Sequence, residues 1–320
     1  MNFNDYEAAR QAAVYYLLDH PGYLRFSGPD RANFLQRQTT NDIRLLNPGR
    51  VLQSVLTSPT ARILDVFYLF QEQDAIGCIS LPARSTETAR FLTSRIFFMD
   101  KVSILDASPD FAQIDLEGPQ AGAILDSIGV QKPEGLNTIC QTEINHQPLH
   151  IFSKPGLLGT GYRLMISSAG SKDVQEMLTS AGARPLSLES HQILRVEAGL
   201  PGEAGELNES LTPLEVNLID AIAEDKGCYT GQEILARQIN YDKITRSLQG
   251  LRLPVYAPPG ISLLAEGKPA GTITSAVESP RLGPIALAVL KRPYNQPGII
   301  VEAQLDGERI EGQVSGLPFP

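Results

Sequence analysis

The chain of 320 residues has little cysteine and little histidine, three of the first and four of the second. Cys78, Cys140 and Cys228 lie far apart and form no C-x-x-C pair, so the sequence encodes neither a disulfide framework nor a compact zinc or iron–sulfur site. That pattern fits a reducing compartment, and no metal ligands are predicted. His146 and His150 have the i, i+4 spacing of a metal pair, but Pro148 between them breaks the helix such a pair needs. Both are read as loop or strand residues. An excess of basic residues is also missing: 27 Lys and Arg stand against 36 Asp and Glu, a formal net charge of -9. This excludes a broad electrostatic grip on phosphate backbones. No stretch approaches the roughly 20 apolar residues of a membrane span. The apolar "AAVYYLL" near the start has polar and acidic flanks and no basic leader. The expectation is a cytoplasmic protein without a membrane or direct nucleic-acid partner.

What is present is an ordinary globular composition, 42% hydrophobic, in a chain too long for one small core. Two segments resemble each other, "LRFSGPDRANFLQRQ" from residue 24 and "IDLEGPQAGAILDSIG" from residue 114. In each, a strand-like run ends at Gly-Pro, with Pro29 or Pro119 expected at a first helical position. A pair of apolar residues follows at the same offset, Phe34 with Leu35 and Ile124 with Leu125. Strand-like runs such as "RILDVFYLF", "AIGCISL" and "YRLMISS" alternate with helices predicted at 85–95, 171–181 and 187–198. "GLLGTG" at 156–161 precedes a strand rather than a helix, which makes it a hairpin turn and not a dinucleotide fingerprint. From about Ile244 short β-branched runs, frequent Gly and Pro, and hairpin signals at "EGKPAG" and "LDGERI" replace helical periodicity. The reading is an α+β protein: a first α/β module over 1–110, a second, related one over 111–243, and an all-β barrel over 244–320.

One short stretch carries chemistry. In "DKGCYTGQE", 225–233, Thr230 and Glu233 have the spacing of a capping box before the apolar-periodic "ILARQI". Cys228 is then expected just outside a helix N-terminus with Lys226 two residues away, a setting that pushes a thiol toward thiolate and welcomes an anion. Arg195, Lys226, Arg237 and Arg246 form a local basic exception around it. Tyr229 either stacks on a flat ligand or fills a core gap. Gln232 either touches the ligand or faces water, and Arg237 either steers an anionic tail or is solvated. The plainer alternative makes the motif a turn, with Gly227 and Gly231 in unusual dihedrals, Cys228 a small hydrophobe and Glu233 a cap.

"KGCYTGQE" makes the chain resemble the YgfZ-like folate-binding proteins, relatives of the glycine-cleavage aminomethyltransferases that are linked to iron–sulfur enzyme maintenance. The resemblance continues in order through "FLQRQTTNDI" (34–43), "LTSPTARILD" (56–65), "LRVEAGLP" (194–201), "LTPLEVNL" (211–218) and "TITSAVESPRLGPIALAVLKR" (272–292). It implies two α/β modules and a C-terminal barrel around a central tetrahydrofolate channel. It also implies that Glu197 recognises the pterin ring through a bidentate carboxylate, with Arg195, Lys226, Tyr229, Gln232 and Arg237 as further folate-binding candidates and Cys228 as the functional thiol. Partners would be a reduced folate and iron–sulfur client or assembly proteins. The aminomethyltransferases carry a tandem aspartate where this chain has Asp65 followed by Val66, and valine can be neither acid nor base. Glycine cleavage is therefore not expected. The alternative is another tetrahydrofolate-dependent one-carbon transferase or demethylase using Asp65 or Glu197.

Overall fold

The structure, a computed structural model, describes residues 4–305 and 307–320. Asp306, in the hairpin signal at 305–310, lies outside the described residues. The chain divides into two compact units. One comprises residues 4–59, 64–188 and 220–230; the other comprises 60–63, 189–219 and 231–320.

The first unit contains two sheets. One has five strands in the spatial order Val51–Thr57, Ile63–Gln71, Ala75–Ser80, Gly22–Ser27, Ser103–Asp106. All six residues of Ala75–Ser80 are buried, as the unbroken apolar run "AIGCIS" requires of an inner strand. Helices Arg31–Gln38 and Ser85–Thr93 accompany it, and Leu24, Phe26, Phe34, Leu35, Phe67, Leu69 and Leu92 share one core. The second sheet runs in the order Arg184–Pro185, Val14–Leu17, Phe111–Glu117, Gly159–Ser167, Gln147–Gly156, Thr138–Ile144. Its core takes Ile124 and Leu125 from helix Ala121–Ser127 and Val174 and Leu178 from helix Ser171–Ser180. A third cluster joins Tyr23, Phe70 and Ile79 of the first sheet to Ile139, Phe152 and Met165 of the second.

The repeat seen in the sequence is real in the backbone. Each copy is a strand, a glycine with positive φ (Gly28 at 94°, Gly118 at 103°) and a short helix. A β-carbon at Gly28 would stand 2.1 Å from the carbonyl oxygen of Lys101, and one at Gly118 2.6 Å from that of Ala12. Glycine is therefore demanded twice, by dihedral and by space. The prolines are not at first helical positions as expected: the N-caps are Asp30 and Gln120, which puts Pro29 and Pro119 just before each N-cap. The sheets also exchange chain, since the N-terminal strand Val14–Leu17 pairs with Phe111–Glu117.

The predicted helices appear as Ser85–Thr93, Ser171–Ser180 and Leu188–Glu197. "GLLGTG" makes the turn between Gln147–Gly156 and Gly159–Ser167. His146 sits in the turn before Gln147–Gly156 with φ 61°, and His150 lies within that strand.

The second unit carries the expected barrel. Six strands close on themselves in the order Arg246–Arg252, Gly283–Lys291, Lys268–Ser279, Ser262–Ala265, Ile300–Leu305, Glu308–Ser315. "EGKPAG" supplies a tight turn, Glu266 and Gly267 having φ 51° and 74°. The barrel interior mixes Ala265, Ala270, Ala286, Ala288 and Ala303 with Leu251, Leu263 and Leu290, the small-and-large filling a narrow barrel needs.

Candidate functional site

In the first unit the motif loop is fastened to the segment "QTTND". The Ala223 N–H donates to the Thr40 carbonyl at 3.1 Å, the Thr40 hydroxyl to the Ala221 carbonyl at 2.6 Å, and Asn41 Nδ2 to the Asp220 carbonyl at 3.1 Å. Lys226 is only 5% exposed, and its Nζ donates to the carbonyls of Thr39 and Asn41, both at 2.6 Å. The ammonium also lies 5.1 Å from the ring centroid of Tyr229. Burial pulls the Lys226 pKa down to about 8, against the attraction of Asp42. The Thr57 hydroxyl donates to the Thr230 carbonyl at 2.6 Å and fixes the far end of the loop. Thr39, Thr40, Asn41 and Thr57 were not singled out in the sequence as supports of this loop, because a side chain that ties two segments 180 residues apart leaves no local signature.

Between these anchors Cys228 is exposed, whereas Cys78 is buried and Cys140 half-buried. Tyr229 is buried, and burial raises its phenol to about 12. The expected capping box does not form. The N-cap of Gln232–Asn240 is Gly231, at φ 86°, with no side-chain bond to the helix. The carbonyl of Thr230 is already held by Thr57, and the Lys226 ammonium is turned inward. The thiol is thus exposed, the capping box expected beside it is absent, and the ammonium two residues away is held by carbonyls. Gly231 needs its glycine for a left-handed dihedral; Gly227 does not, since its φ is not positive and a β-carbon there would meet nothing within 4 Å. The turn alternative thus holds at Gly231 and fails at Gly227.

Glu197 and Arg195 belong to the second unit, on helix Leu188–Glu197. Glu197 is buried and accepts a short hydrogen bond from the Ser279 hydroxyl, whose oxygen accepts the N–H groups of Arg281 and Leu282 at 3.1 and 2.9 Å. Arg195 is committed to internal partners: Nε to Gln192 Oε1 at 2.7 Å, Nη1 to the Leu200 carbonyl at 2.9 Å, and Nη2 to Ser275 Oγ at 3.0 Å. Glu206, fully buried, lies 3.4 Å from Nη1 and accepts from Ser275 and the Gly202 N–H, both at 2.8 Å. Arg195 thereby braces the loop that follows Glu197. Gln232 is half-buried at the start of its helix, and Arg237 forms an exposed pair with Glu233 at 2.6 Å.

Asp65 is fully buried in the first unit. Oδ1 accepts the N–H groups of Val66 and Leu81 at 2.8 and 2.9 Å, and Oδ2 accepts the Thr88 hydroxyl at 2.6 Å. Burial raises its pKa to about 7, against those three hydrogen bonds. A carboxyl so enclosed shapes its strand and is not placed to exchange protons with a ligand. Val66 beside it is buried as well.

The sequence reading also missed a charged network in the second sheet. Arg163 grips Asp115 through Nε at 2.7 Å and Nη2 at 2.8 Å, and Lys154 reaches Glu117 at 2.7 Å and Asp115 at 3.3 Å. Gly156 and Gly161 make room for Glu117, since a β-carbon on either would stand within 2.5 Å of its carboxylate oxygens. The available signal was two acids at i, i+2 in "IDLE", which share one face of a strand. Among the described residues no group of three or more His, Cys, Asp or Glu is disposed to hold a metal, and no helix is long and apolar enough to cross a membrane.

Residues 3–226 match the family model for the GCVT N-terminal domain, and 246–319 that for the glycine cleavage T-protein C-terminal barrel domain. A chloroplastic protein of Arabidopsis thaliana named as a transferase is 31% identical over 94% of this chain and 70% of its own length. An aminomethyltransferase of Saccharopolyspora erythraea is 29% identical over 98% of this chain and 89% of its own. The crystal structure of the glycine cleavage system aminomethyltransferase T from Bartonella henselae shares the fold, with a TM-score of 0.89 at 22% identity over 99% of this chain and 89% of that one. With two α/β modules, a closed six-stranded barrel and both domain models matched in order, the chain belongs to the glycine cleavage T-protein family.

Proposed function

We infer that the protein is a tetrahydrofolate-binding accessory protein that supports assembly or repair of iron–sulfur clusters in client enzymes. The family as a whole makes a folate ligand plausible, so the choice within it rests on particular residues. The observation that carries the reading is Cys228: of three cysteines it alone is exposed, on a loop whose neighbours Lys226, Tyr229 and Thr230 are all fastened. A soft sulfur on a rigid, accessible loop suits contact with a metal-cluster client better than it suits packing. Valine at 66 and the enclosure of Asp65 argue in the same direction, because neither offers an acid or base for aminomethyl transfer. Glu197 remains the candidate for the pterin, its carboxylate oriented by Ser279.

Calorimetric titration with tetrahydrofolate is the first test. Glu197→Gln keeps a partner for Ser279 but loses the charge, and it should weaken binding by about 1.5–3 kcal/mol while melting near wild type. Unchanged affinity would remove Glu197 from the site. Cys228→Ser should bind folate normally, melt normally, and fail to restore iron–sulfur enzyme activity in cells lacking the protein; full restoration sinks the proposed role of the thiol. A second reading, a folate-dependent one-carbon transferase, is favoured by the names of the relatives. Catalytic release of a one-carbon unit from a methylamine donor would establish it instead.

A further inference from the structure

Among the described residues, the two most exposed large apolar side chains, Phe98 and Met99, are adjacent and follow directly on a third exposed one, Phe97. Phe97, Phe98 and Met99 are 65%, 97% and 72% exposed. They occupy a turn closed by the Asp100 N–H donating to the Phe97 carbonyl at 2.9 Å, with Phe98 and Met99 at its corners. Turn corners ordinarily take Gly, Pro, Asn, Asp or Ser. This one is nonetheless held firmly. Asp100 Oδ2 accepts the Phe97 N–H at 3.2 Å and Arg37 Nη2 at 2.7 Å, and the Arg37 guanidinium lies 5.8 Å from the Phe97 ring centroid. Two cations flank the apolar tip, Arg95, stacked 4.3 Å over Phe91, and Lys101. Among the described residues neither has a carboxylate within ion-pair distance. A preorganised aromatic tip between unpaired cations has the make-up of a binding anchor.

The same unit carries a feature of opposite character. A depression of about 680 Å³ is lined by the apolar Ile128, Met177 and Ala181 and by the carboxylates of Asp173 and Glu176 on helix Ser171–Ser180. Glu176 has only a loose, exposed partner, Lys172 at 3.7 Å. We propose that the Phe97–Met99 tip of one molecule docks in this depression on a second copy of the chain, with Arg95 and Lys101 meeting Asp173 and Glu176. A net charge of -9 repels an anionic membrane and a second copy alike at long range, so the second copy is favoured by fit: an apolar floor with a two-carboxylate rim matches a tip of three apolar side chains between two cations. The contact is heterologous: the copy that lends its tip keeps a free depression and the other copy keeps a free tip, so association grows with concentration rather than stopping at a dimer.

Sedimentation velocity on the full chain across a concentration series tests this. The wild-type average mass should rise with concentration and fall with added salt. Phe98→Ser, at a site whose side chain is almost wholly in solvent, should weaken association by about thirtyfold or more, as loss of a central anchor does. The Asp173→Lys/Glu176→Lys variant should be equally impaired. The decisive measurement mixes the two. One retains a working depression and the other a working tip, so two separately monomeric proteins should form a 1:1 heterodimer and nothing larger. A wild type that stays monomeric throughout, a mixture that stays monomeric, Phe98→Ser associating like wild type, or a monodisperse wild type that sediments with anionic vesicles through Phe98 would each overturn the proposal.

Discussion

The two sheets of the first unit are built from the same strand–glycine–helix repeat, yet they bury carboxylates in opposite ways. In the five-stranded sheet Asp65 hydrogen-bonds to neutral donors only, two backbone N–H groups and the Thr88 hydroxyl, and attraction to Arg84 is weaker than any of these. In the six-stranded sheet Asp115 and Glu117 are enclosed with cations, Arg163 and Lys154. Neutral donors do not outweigh the cost of desolvating a charge, so the Asp65 pKa climbs to about 7. In the other sheet burial opposes the charge on Lys154, but attraction to Asp115 and Glu117 wins and its pKa is raised. Buried charge is thus tolerated in this unit by pairing in one sheet and by proton uptake in the other.

Removing a cation from the paired sheet should have the largest effect. Arg163→Met takes from Asp115 its two-pronged cation partner and leaves Lys154 at 3.3 Å, and it should lower stability by about 3–5 kcal/mol in urea titrations at neutral pH. A loss under about 1 kcal/mol would mean that Lys154 suffices and that the two sheets differ less than their geometry suggests.

The unpaired sheet should respond to pH. An acid whose folded pKa is raised stabilises the fold fully below its unfolded value, 3.8, and that contribution disappears as pH rises through about 7. Asp65→Asn mimics the protonated form, with Oδ1 accepting the Val66 and Leu81 N–H groups and Nδ2 facing Thr88. Its expected benefit over wild type is about 2–4 kcal/mol above pH 7, shrinking toward zero near pH 4. Paired stability curves across that range decide it: a constant difference between variant and wild type, or a wild type that gains stability with rising pH while the variant does not, would show that Asp65 is ionised at no cost.

The smallest effects distinguish the two glycines of the motif by the same logic of local demand. Gly231→Ala must force a side chain into positive φ and should cost about 1 kcal/mol. Gly227→Ala meets neither a strained dihedral nor a neighbour and should stay within about 0.5 kcal/mol of wild type. If Gly227→Ala melts normally but loses folate affinity or cellular function, the glycine makes room for a bound partner and not for the fold.

Much of the architecture was legible because it is local. The strand–glycine–helix repeat, the helix near 171–181, the hairpin at "GLLGTG" and the glycine-rich barrel strands each follow from dihedral preference and hydrophobic period. Capping was less legible, and the contrast is instructive. "TPLE" at 212–215 and "TGQE" at 230–233 carry the same Thr-x-x-Glu spacing. Glu215 does reach back to the Thr212 N–H, at 2.8 Å, whereas at the second site Gly231 is the cap and makes no side-chain bond. An identical four-residue pattern therefore has two outcomes, and its spacing does not tell them apart.

By itself the sequence determined the α+β class, the repeated modules, the barrel and an unusual cysteine motif, because propensity, periodicity and turn chemistry act over a few residues. Only the tertiary structure decided that Lys226 clamps two carbonyls instead of sitting free beside the thiol, that Arg195 braces a loop, that Asp65 is sealed among neutral donors, and that Asp115 has Arg163 across the ladder. The physical reason is common to all four. The state of a charged group depends on which groups replace its water, and folding brings those groups from distant parts of the chain.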